Sequence, residues 1–314
     1  MEVIKFGGTI MKRARLIYNP SSGREQVKKH LPYILERLEI AGYETSAHAT
    51  TGKDCAKKAA QKACDSNFDF IIAAGGDGTI NEVVNGIAEQ GNRPTLGIIP
   101  AGTTNDFARA LHIPKDITEA CNVLCNGRIQ SVDIGKVSSQ YFINIAGAGT
   151  LTELTYEVPS KLKTMMGQVA YYVKGFEKLP RIKPSNVTIE YDGKWFEGEI
   201  MLFLVSNTNS VAGFEKLAPN AYLNDGLFDL IILKKTNLAD VVRLVSAAMR
   251  GEHLSDEKVI YVQASRIKIH AKEKLQLNLD GEYGGDLPGE FVNLHNHIKM
   301  VVPDKKLACF QDLY

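Results

Sequence analysis

The fold is decided by the stretch Phe70–Thr79, FIIAAGGDGT, in which a short apolar run ends in three glycines and an aspartate. A continuous apolar run of this length predicts a strand that is buried on both faces, as in parallel sheets. The glycines indicate a tight strand-to-helix turn in which positive φ angles and a bare backbone are expected. A phosphate could approach the N–H groups of such a turn and the positive end of the following helix.

Asp77 is an unusual residue for a turn that only cradles phosphate, because its carboxylate repels phosphate. It suits a turn that also holds Mg²⁺ or contacts a metal-bound nucleotide. The alternative is a structural turn closed by a bond from the Asp77 side chain to the backbone. The whole string, placed between a strand and a helix, favours the phosphate site.

Strand and helix patterns alternate on both sides of this stretch. Strands are predicted at Arg15–Asn19, Tyr43–Ala49, Phe70–Ala74 and Thr95–Ile99. Helices are predicted at Gln26–Ile40, Asp54–Cys64, Ile80–Ala88, Asp106–Leu111 and Ile117–Leu124. Thr51 or Asp54 is placed to cap the second of these helices. This alternation predicts a parallel sheet covered by helices.

Past Val132 the pattern changes to alternating or β-branched segments, which predict an antiparallel sheet and a sandwich. The predicted strands are Asn186–Tyr191, Trp195–Val205, Phe228–Leu233, Arg266–Ala271, Lys274–Leu279 and His297–Val302. Asp192-Gly193 and Asp280-Gly281 are typical of hairpin turns. Two helices are predicted within this half, at Lys161–Leu179 and Leu238–Met249.

Length and charge limit the classes of function. The 314 residues favour two domains, with 44% apolar and 23% charged residues and a net charge of +1. That balance argues against a sequence-independent nucleic-acid binder, which normally carries a large basic excess. Met1–Ile10 lacks the apolar region of a signal peptide, and no apolar run is long enough to span a bilayer. We therefore expect a cytosolic protein in which Met1–Ile10 is an extension outside the fold.

Two further turns follow predicted strands, at Asn19–Gly23 and at Pro100–Phe107. In open α/β sheets, ligands bind outside the carboxyl ends of the strands. Three small, glycine-containing and hydroxyl-rich turns at one edge therefore predict a polyphosphate site, although each turn alone could be an ordinary helix cap. The P-loop and dinucleotide-binding glycine patterns are both absent from the sequence.

The strings NPSSG, GGDGT followed by NEV, PAGTTNDFAR and DGE together closely resemble the soluble bacterial diacylglycerol kinases. These enzymes belong to a lipid-kinase superfamily that includes sphingosine and ceramide kinases and, more distantly, NAD kinases. The resemblance extends from about Arg13 to about Val302. It implies a Rossmann-like α/β nucleotide domain over residues 11–136 and a β-sandwich lipid domain with inserted helices over residues 137–302. The tail, residues 303–314, is expected to pack back on the first domain.

The resemblance also implies roles for individual residues. Asp77 and Asp106 would organise the nucleotide Mg²⁺, and Glu282 would be the general base. A second Mg²⁺ would bind Asp225 and backbone carbonyls near Tyr222 and Leu227, although Asn224 replaces an acidic residue of many relatives. The residues implied in ATP binding are Asn19, Pro20, Ser21, Ser22, Gly23, Thr50, Gly75, Gly76, Asp77, Gly78, Thr79, Ile80, Asn81, Glu82 and Thr103.

The implied reaction is the ATP-dependent phosphorylation of the free hydroxyl of 1,2-diacyl-sn-glycerol to give phosphatidic acid. Alternatives are a related kinase acting on a sphingoid base or phosphatidylglycerol, or a catalytically silent nucleotide-binding regulator. From the residues alone, Asp280 and Glu282 could belong to a plain hairpin turn. Asp133 could be a structural cap or part of an acidic network.

The segment Val158–Pro180 mixes aromatic and aliphatic residues with lysines, as expected at a membrane headgroup boundary. It is the candidate contact with an anionic membrane surface, at which a peripheral enzyme at the inner face of the cell membrane would meet its lipid. The alternative is a helix buried in the core. The sequence leaves open whether the chain acts alone or as a homodimer.

Overall fold

The computed structural model describes residues 11–149, 183–209 and 216–304. Its first half alternates strands and helices as the sequence predicts. The elements are β1 (Lys12–Tyr18), α1 (Gln26–Lys29), α2 (Leu31–Ile40), β2 (Tyr43–Ala49), α3 (Cys55–Asp65), β3 (Phe70–Gly75), α4 (Asp77–Ile87), β4 (Thr95–Pro100), α5 (Asp106–Ala110) and α6 (Ile117–Asn126).

The second half is dominated by strands and carries one α-helix in its described part, followed by a short 3-10 helix at His253–Ser255. Its elements are β5 (Arg128–Val137), β6 (Gln140–Phe142), β7 (Ile145–Ala148), β8 (Ser185–Tyr191), β9 (Lys194–Ser206), β10 (Phe228–Lys234), α7 (Leu238–Arg250), β11 (Val259–Ala264), β12 (Arg266–Ala271), β13 (Gln276–Leu279), β14 (Glu282–Asp286) and β15 (Gly289–Val302). Every strand predicted in this half is present, and β5, β6, β7, β11 and β14 were not predicted.

The first half forms a parallel sheet in which β4, β3, β1 and β2 are neighbours in that order. Every residue of β3 is buried, which confirms the prediction from the apolar run Phe70–Ala74. Since neighbouring parallel strands end at the same edge, the turns after β1, β3 and β4 lie side by side. This arrangement places the glycine-containing turns together.

Two local predictions in the first half are wrong. The helix predicted over Gln26–Ile40 is divided at His30, because Pro32 near the start of α2 has no N–H to donate to a preceding carbonyl. Helix α3 is not capped by the side chain of Asp54, which has a positive φ of 60°. The Thr51 hydroxyl instead lies 3.6 Å from the Cys55 sulfur.

The second half pairs its strands antiparallel around its own apolar core. Aromatic rings from four strands meet there: Phe142 lies 5.5 Å from Phe228, and Phe203 lies 6.1 Å from Phe291, between ring centroids. All four rings are fully buried in one apolar core, as expected where the strands of a sandwich-type domain pack together.

Strand β15 contributes to both halves. Phe291 belongs to the apolar core of the second half, whereas Met300 belongs to that of the first half and pairs with Leu96 of β4. Between them the pairing of β15 with β5 shifts register, between Leu294 and Ile298. One strand therefore continues the parallel sheet into the antiparallel one.

Several predictions fall outside the described residues. These are the extension Met1–Ile10, the helix Lys161–Leu179, the candidate membrane segment Val158–Pro180 and nearly all of the tail. Within the described ranges, no helix combines the length and apolar character needed to cross a membrane.

Candidate active site

The turns after β1, β3 and β4 contact one another through the backbone. Asn19 N–H donates to Ala74 O at 2.9 Å, and Ala101 N–H donates to Gly75 O at 2.8 Å. Gly23 has a φ of 57°, and a Cβ placed on it would lie 2.9 Å from Ala101 O. The three predicted turns therefore converge on one edge of the sheet.

The turn after β1 is organised by Asn19. Its Oδ1 accepts the N–H of Ser21 at 3.0 Å and the hydroxyl of Ser21 at 2.8 Å. Hydrogen bonds between an asparagine side chain and a residue two positions on stabilise a turn of the backbone. Pro20, Ser22 and Gly23 complete the turn, and Thr50 N–H donates to Tyr18 O at 2.9 Å beside it.

The three glycines of GGDGT do not have the positive φ angles that the sequence predicted. Gly76 is extended, with φ −85° and ψ −178°. A Cβ on Gly75 would lie 2.5 Å from the Thr79 hydroxyl, and one on Gly76 would lie 3.3 Å from the Cα of Gly102. Close packing therefore requires these two glycines, whereas Gly78 has open space where its Cβ would be.

Asp77 begins α4 and points to the start of α5. The N–H of Phe107 donates to Asp77 Oδ1 at 3.4 Å. Burial raises the pKa of Asp77, while backbone N–H groups at Asn105, Asp106 and Phe107 oppose the rise. The partial positive charge of these N–H groups stabilises a carboxylate that would otherwise be costly to bury.

Asp106 is the first residue of α5 and is 8% exposed. Arg109 Nη1 lies 3.6 Å from Asp106 Oδ1, and Arg109 Nη2 donates to Thr104 O at 2.8 Å. Since the start of α5 contacts Asp77, both carboxylates lie at adjacent helix starts. Protein-bound Mg²⁺ is often held by one or two carboxylates together with substrate phosphates. The two residues therefore fit the Mg²⁺ of a nucleotide.

Asn105, for which the sequence predicted no role, shapes the turn after β4. Its Oδ1 accepts the N–H of Gly102 and its Nδ2 donates to Gly102 O, both at 2.8 Å. It also has a φ of 52°, which asparagine tolerates better than most residues. An asparagine directly before a helix is a signal that could have identified it. Thr103, in the same turn, is exposed.

Two residues implied in nucleotide binding contact other parts of the protein through their side chains. Asn81 Nδ2 donates to Asp280 Oδ2 at 2.7 Å. Glu82 accepts the N–H groups of Asp54 and Ala56, each at 3.0 Å, and so caps α3 from a different helix. Their implied contacts with ATP remain predictions.

The DGE string forms the predicted hairpin turn between β13 and β14. Asp280 and Gly281 have φ angles of 50° and 96°, as a two-residue type I′ turn requires. Glu282 is the exposed first residue of β14. The Asp280 carboxylate accepts four hydrogen bonds, from Asn81 and from the N–H groups of Ile143, Asn144 and Ile145. Asp280, which the sequence left undecided, therefore fixes this turn.

Asp225 lies in an exposed loop that Asp133 supports. Asp133 is fully buried, and its carboxylate accepts the N–H groups of Gly226 and Asn296, both at 2.6 Å. Asp225 Oδ1 accepts the N–H of Leu227 at 3.0 Å. These contacts give Asp133 a structural role, and they do not test an acidic network.

The residues implied in the second metal site lie in one loop, over residues 222–227. The carbonyl of Leu227 accepts Asn293 Nδ2 at 3.1 Å, and the Tyr222 side chain is 67% exposed. Over residues 11–149, 183–209 and 216–304, no three His, Cys, Asp or Glu side chains form a group that could hold a metal ion. A second Mg²⁺ at Asp225 therefore remains a prediction.

Comparison with known proteins agrees with the division of the chain into an alternating α/β half and a half dominated by strands. A sequence model described as the diacylglycerol kinase catalytic domain matches residues 13–137. A second, described as the YegS C-terminal NAD kinase beta sandwich-like domain, matches residues 148–305.

Individual relatives match over nearly the whole chain. The protein named diacylglycerol kinase from Bacillus subtilis (strain 168) is 64% identical over 303 residues, which are 96% of this chain and 100% of the relative. The diacylglycerol kinase of Staphylococcus aureus (strain MRSA252) is 56% identical over 293 residues, 93% of each chain. The crystal structure of a diacylglycerol kinase from Bacillus anthracis str. Sterne superposes with a TM-score of 0.80 at 29% identity, covering 96% of this chain and 100% of the other. The chain therefore belongs to the diacylglycerol kinase family.

Proposed function

We propose that this chain transfers the γ-phosphoryl group of ATP to the free hydroxyl of a 1,2-diacylglycerol, giving ADP and phosphatidic acid. One observation carries the proposal: the helix that begins at Asp77 is hydrogen-bonded, through Asn81 and Asp280, to the turn that presents Glu282. Phosphoryl transfer needs phosphate positioning and a carboxylate near the attacking hydroxyl. Relatives at 56–64% identity bear the name diacylglycerol kinase.

The nucleotide phosphates would lie at the start of α4, in the open space at Gly78. The N–H groups of the turn and the positive end of the helix favour negative charge there. The turns at Asn19 and Gly102 border this place, and the exposed Thr103 would add a hydroxyl donor. Close packing at Gly75 and Gly76 keeps side chains out of the turn.

Mg²⁺ bound with the nucleotide would neutralise phosphate charge. Asp77 and Asp106 are the residues that would hold it, and Arg109 restrains the Asp106 side chain from within α5. The N–H groups at the start of α5 keep Asp77 directed toward Asp106. A second Mg²⁺ at Asp225 belongs to the same proposal, on the basis of the sequence resemblance.

Glu282 would act as the general base. The acceptor hydroxyl gives its proton to the Glu282 carboxylate while its oxygen bonds to the γ-phosphorus. The bond between that phosphorus and the oxygen bridging to the β-phosphate breaks, and its electron pair leaves with ADP. The exposed position of Glu282 at the start of β14 allows a lipid headgroup to reach it.

A lipid acceptor is insoluble, so we infer that the enzyme works at an anionic membrane surface as a peripheral protein. The segment Val158–Pro180 is the proposed contact, on the sequence evidence of lysines mixed with aromatic and aliphatic residues. Self-association as a homodimer is a separate proposal, which analytical ultracentrifugation at several concentrations would test.

The experiment that tests the reaction is transfer of radiolabelled γ-phosphate to a panel of acceptors. The panel contains diacylglycerol in mixed micelles, sphingosine, phosphatidylglycerol and NAD, with water as the background acceptor. We expect label in phosphatidic acid at a rate far above that of the other products. Preferential labelling of another acceptor would replace the proposed substrate, and absence of any transfer would favour a regulatory role.

A further inference from the structure

The carboxylate of Asp280 connects three separate parts of the chain. It accepts Asn81 Nδ2 from α4 at 2.7 Å. It also accepts the N–H groups of Ile143, Asn144 and Ile145 at 2.7, 2.8 and 2.9 Å, where β6 leads into β7. We call this set of hydrogen bonds the Asp280 joint. Four donors directed at one carboxylate hold it in place far more firmly than a single surface contact would.

The amide of Asn81 is oriented for this contact by its neighbour one turn along the helix. Asn85 Nδ2 donates to Asn81 Oδ1 at 3.0 Å, which leaves Asn81 Nδ2 to donate to Asp280 and, at a longer 3.4 Å, to Tyr141 O. Asn85 also exchanges hydrogen bonds with the backbone of Tyr141, its Oδ1 accepting the N–H and its Nδ2 donating to the carbonyl, each at 3.0 Å. The face of α4 that carries Asn81 and Asn85 is thus hydrogen-bonded to the second half of the molecule.

The position of Asp280 determines the position of Glu282. Only Gly281 separates them, and consecutive Cα atoms are about 3.8 Å apart, so the turn cannot absorb much displacement. Asp280 N–H donates to Ile145 O at 2.9 Å, and Gly281 N–H donates to Asn278 Oδ1 at 2.8 Å. A shift of the Asp280 side chain would therefore move the start of β14, where Glu282 lies.

Helix α4 begins with Asp77, in the turn that would hold the nucleotide phosphates. Asn81 lies one turn further along the same helix. The Asp280 joint therefore connects the phosphate-binding end of α4 to the turn that presents the base, by one side-chain hydrogen bond and a rigid helix. A displacement of about 1 Å between reacting groups can cost about a hundredfold in rate, so such a connection matters for turnover.

We propose that Asn81 and Asp280 are positioning residues that hold Glu282 at a fixed position relative to the bound nucleotide. Asn81 acts through Asp280 rather than on ATP. This inference rests on the proposed role of Glu282 as the base. It predicts that loss of the Asn81–Asp280 hydrogen bond lowers kcat while the binding of both substrates is kept.

The test is Asn81→Ala in the full-length enzyme. This variant leaves three backbone donors on Asp280, so the turn still forms. We expect kcat to fall about 10- to 100-fold, with unchanged KM values for MgATP and diacylglycerol and an unchanged dissociation constant for MgADP. Asp280→Asn and the double variant complete the cycle. Since both residues act through one contact, the double variant should be no slower than Asp280→Asn.

Tyr141→Phe is the matched control. It removes the hydrogen bond from the Tyr141 hydroxyl to Glu89 Oε1, 3.2 Å, which links the same two parts of the chain without contacting Asp280. Its kcat should stay at the wild-type value, even if its thermal midpoint falls as much as that of Asn81→Ala.

Three outcomes would overturn the proposal. These are a wild-type kcat in Asn81→Ala, a loss of MgADP affinity that accounts for the whole effect, and an equal fall of kcat in Tyr141→Phe. Glu282→Gln, assayed alongside, separates this proposal from the role of the base. If Glu282→Gln is slow and Asn81→Ala is normal, the positioning role of Asn81 and Asp280 is rejected and the role of Glu282 stands. If Glu282→Gln is normal, the role of Glu282 as the general base is rejected.

Discussion

Gly102 packs directly against Gly76, so that a Cβ placed on Gly102 would lie 2.6 Å from the Gly76 Cα and 2.8 Å from Asn105 Oδ1. The turns after β3 and β4 therefore touch through bare backbone. Side chains at this contact would separate the two turns, and with them Asp77 from the start of α5. The glycines fix the distance between two of the three turns that border the proposed phosphate site.

Gly102→Ala should therefore both destabilise the protein and weaken nucleotide binding. The new methyl group would meet backbone and the Asn105 amide, neither of which can move without opening the turn. Overpacking of this kind typically costs about 1–3 kcal/mol of stability. Thermal unfolding and MgADP titration measure the two effects. Wild-type values for both would show that the turns are not held by this contact.

Gly78→Ala should weaken nucleotide binding without lowering the stability of the protein. Gly78 is the second residue of α4, has no positive φ, and has open space where its Cβ would be. Replacing a helical glycine by alanine stabilises a helix by roughly 0.5–1 kcal/mol. We expect an equal or higher thermal midpoint but weaker MgADP binding, because the methyl group would occupy the proposed phosphate position. Unchanged affinity would place the phosphates elsewhere.

Local patterns were sufficient to predict the parallel sheet and the meeting of its turns. The apolar run Phe70–Ala74 predicted a buried strand, and parallel neighbours must end at the same edge. The prediction of positive φ angles at Gly75 and Gly76 was wrong. Glycine is needed at these positions because Thr79 and Gly102 pack against them, and a local pattern does not reveal such contacts. Close approach between turns depends on tertiary packing.

Partners distant in sequence could not be predicted. Asn81 and Asp280 are 199 residues apart, and nothing near either residue indicates the other. Strand β15 was predicted only from His297 onward, because its middle carries polar residues such as Asn293 and Asn296. These residues have specific partners in the fold: the Asn293 side chain donates to Leu227 O, and the backbone N–H of Asn296 donates to Asp133. A polar stretch inside a strand is interpreted from sequence as a loop until its partners are known.

Glu282→Gln should keep the fold and nucleotide binding but lower kcat about 10²- to 10⁴-fold, the usual contribution of general base catalysis. The turn depends on Asp280 and Gly281, so an amide at the exposed position 282 should leave it unchanged. Glu273, exposed in the same half and hydrogen-bonded to Asn186 at 3.1 Å, supplies the control Glu273→Gln, which should turn over normally. Wild-type turnover in Glu282→Gln would exclude it as the base.

Neutralising Lys161, Lys163 and Lys174 to glutamine should weaken binding to vesicles that contain phosphatidylglycerol. Basic residues near an anionic surface contribute about 1 kcal/mol each, so three of them amount to roughly a hundredfold in partitioning. Turnover of a short-chain, soluble diacylglycerol should survive, since the chemistry is unaffected. Vesicle sedimentation measures the binding, and an unchanged partition coefficient would assign the segment Val158–Pro180 another role.

Asp229→Asn should change how stability depends on pH. Asp229 is buried on β10, where the Tyr261 hydroxyl and Gln263 Nε2 donate to its Oδ1. Burial raises the pKa of Asp229 to about 6, and the charge of Asp225 adds to the rise, while the hydrogen bonds from Tyr261 and Gln263 oppose it. An unfolded aspartate has a pKa of about 3.9.

The native state therefore binds more protons than the unfolded state between about pH 4 and pH 6, so this carboxyl lowers stability as the pH rises through that window. A shift of this size corresponds to roughly 2–3 kcal/mol. Asparagine keeps an acceptor for Tyr261 and does not titrate. We expect urea unfolding at pH 4.5–7.5 to show that the free energy of unfolding of the variant increases relative to that of the wild type as the pH rises. The difference should level off above about pH 6.5. Parallel stability curves would mean that Asp229 has the same pKa in the folded and unfolded states.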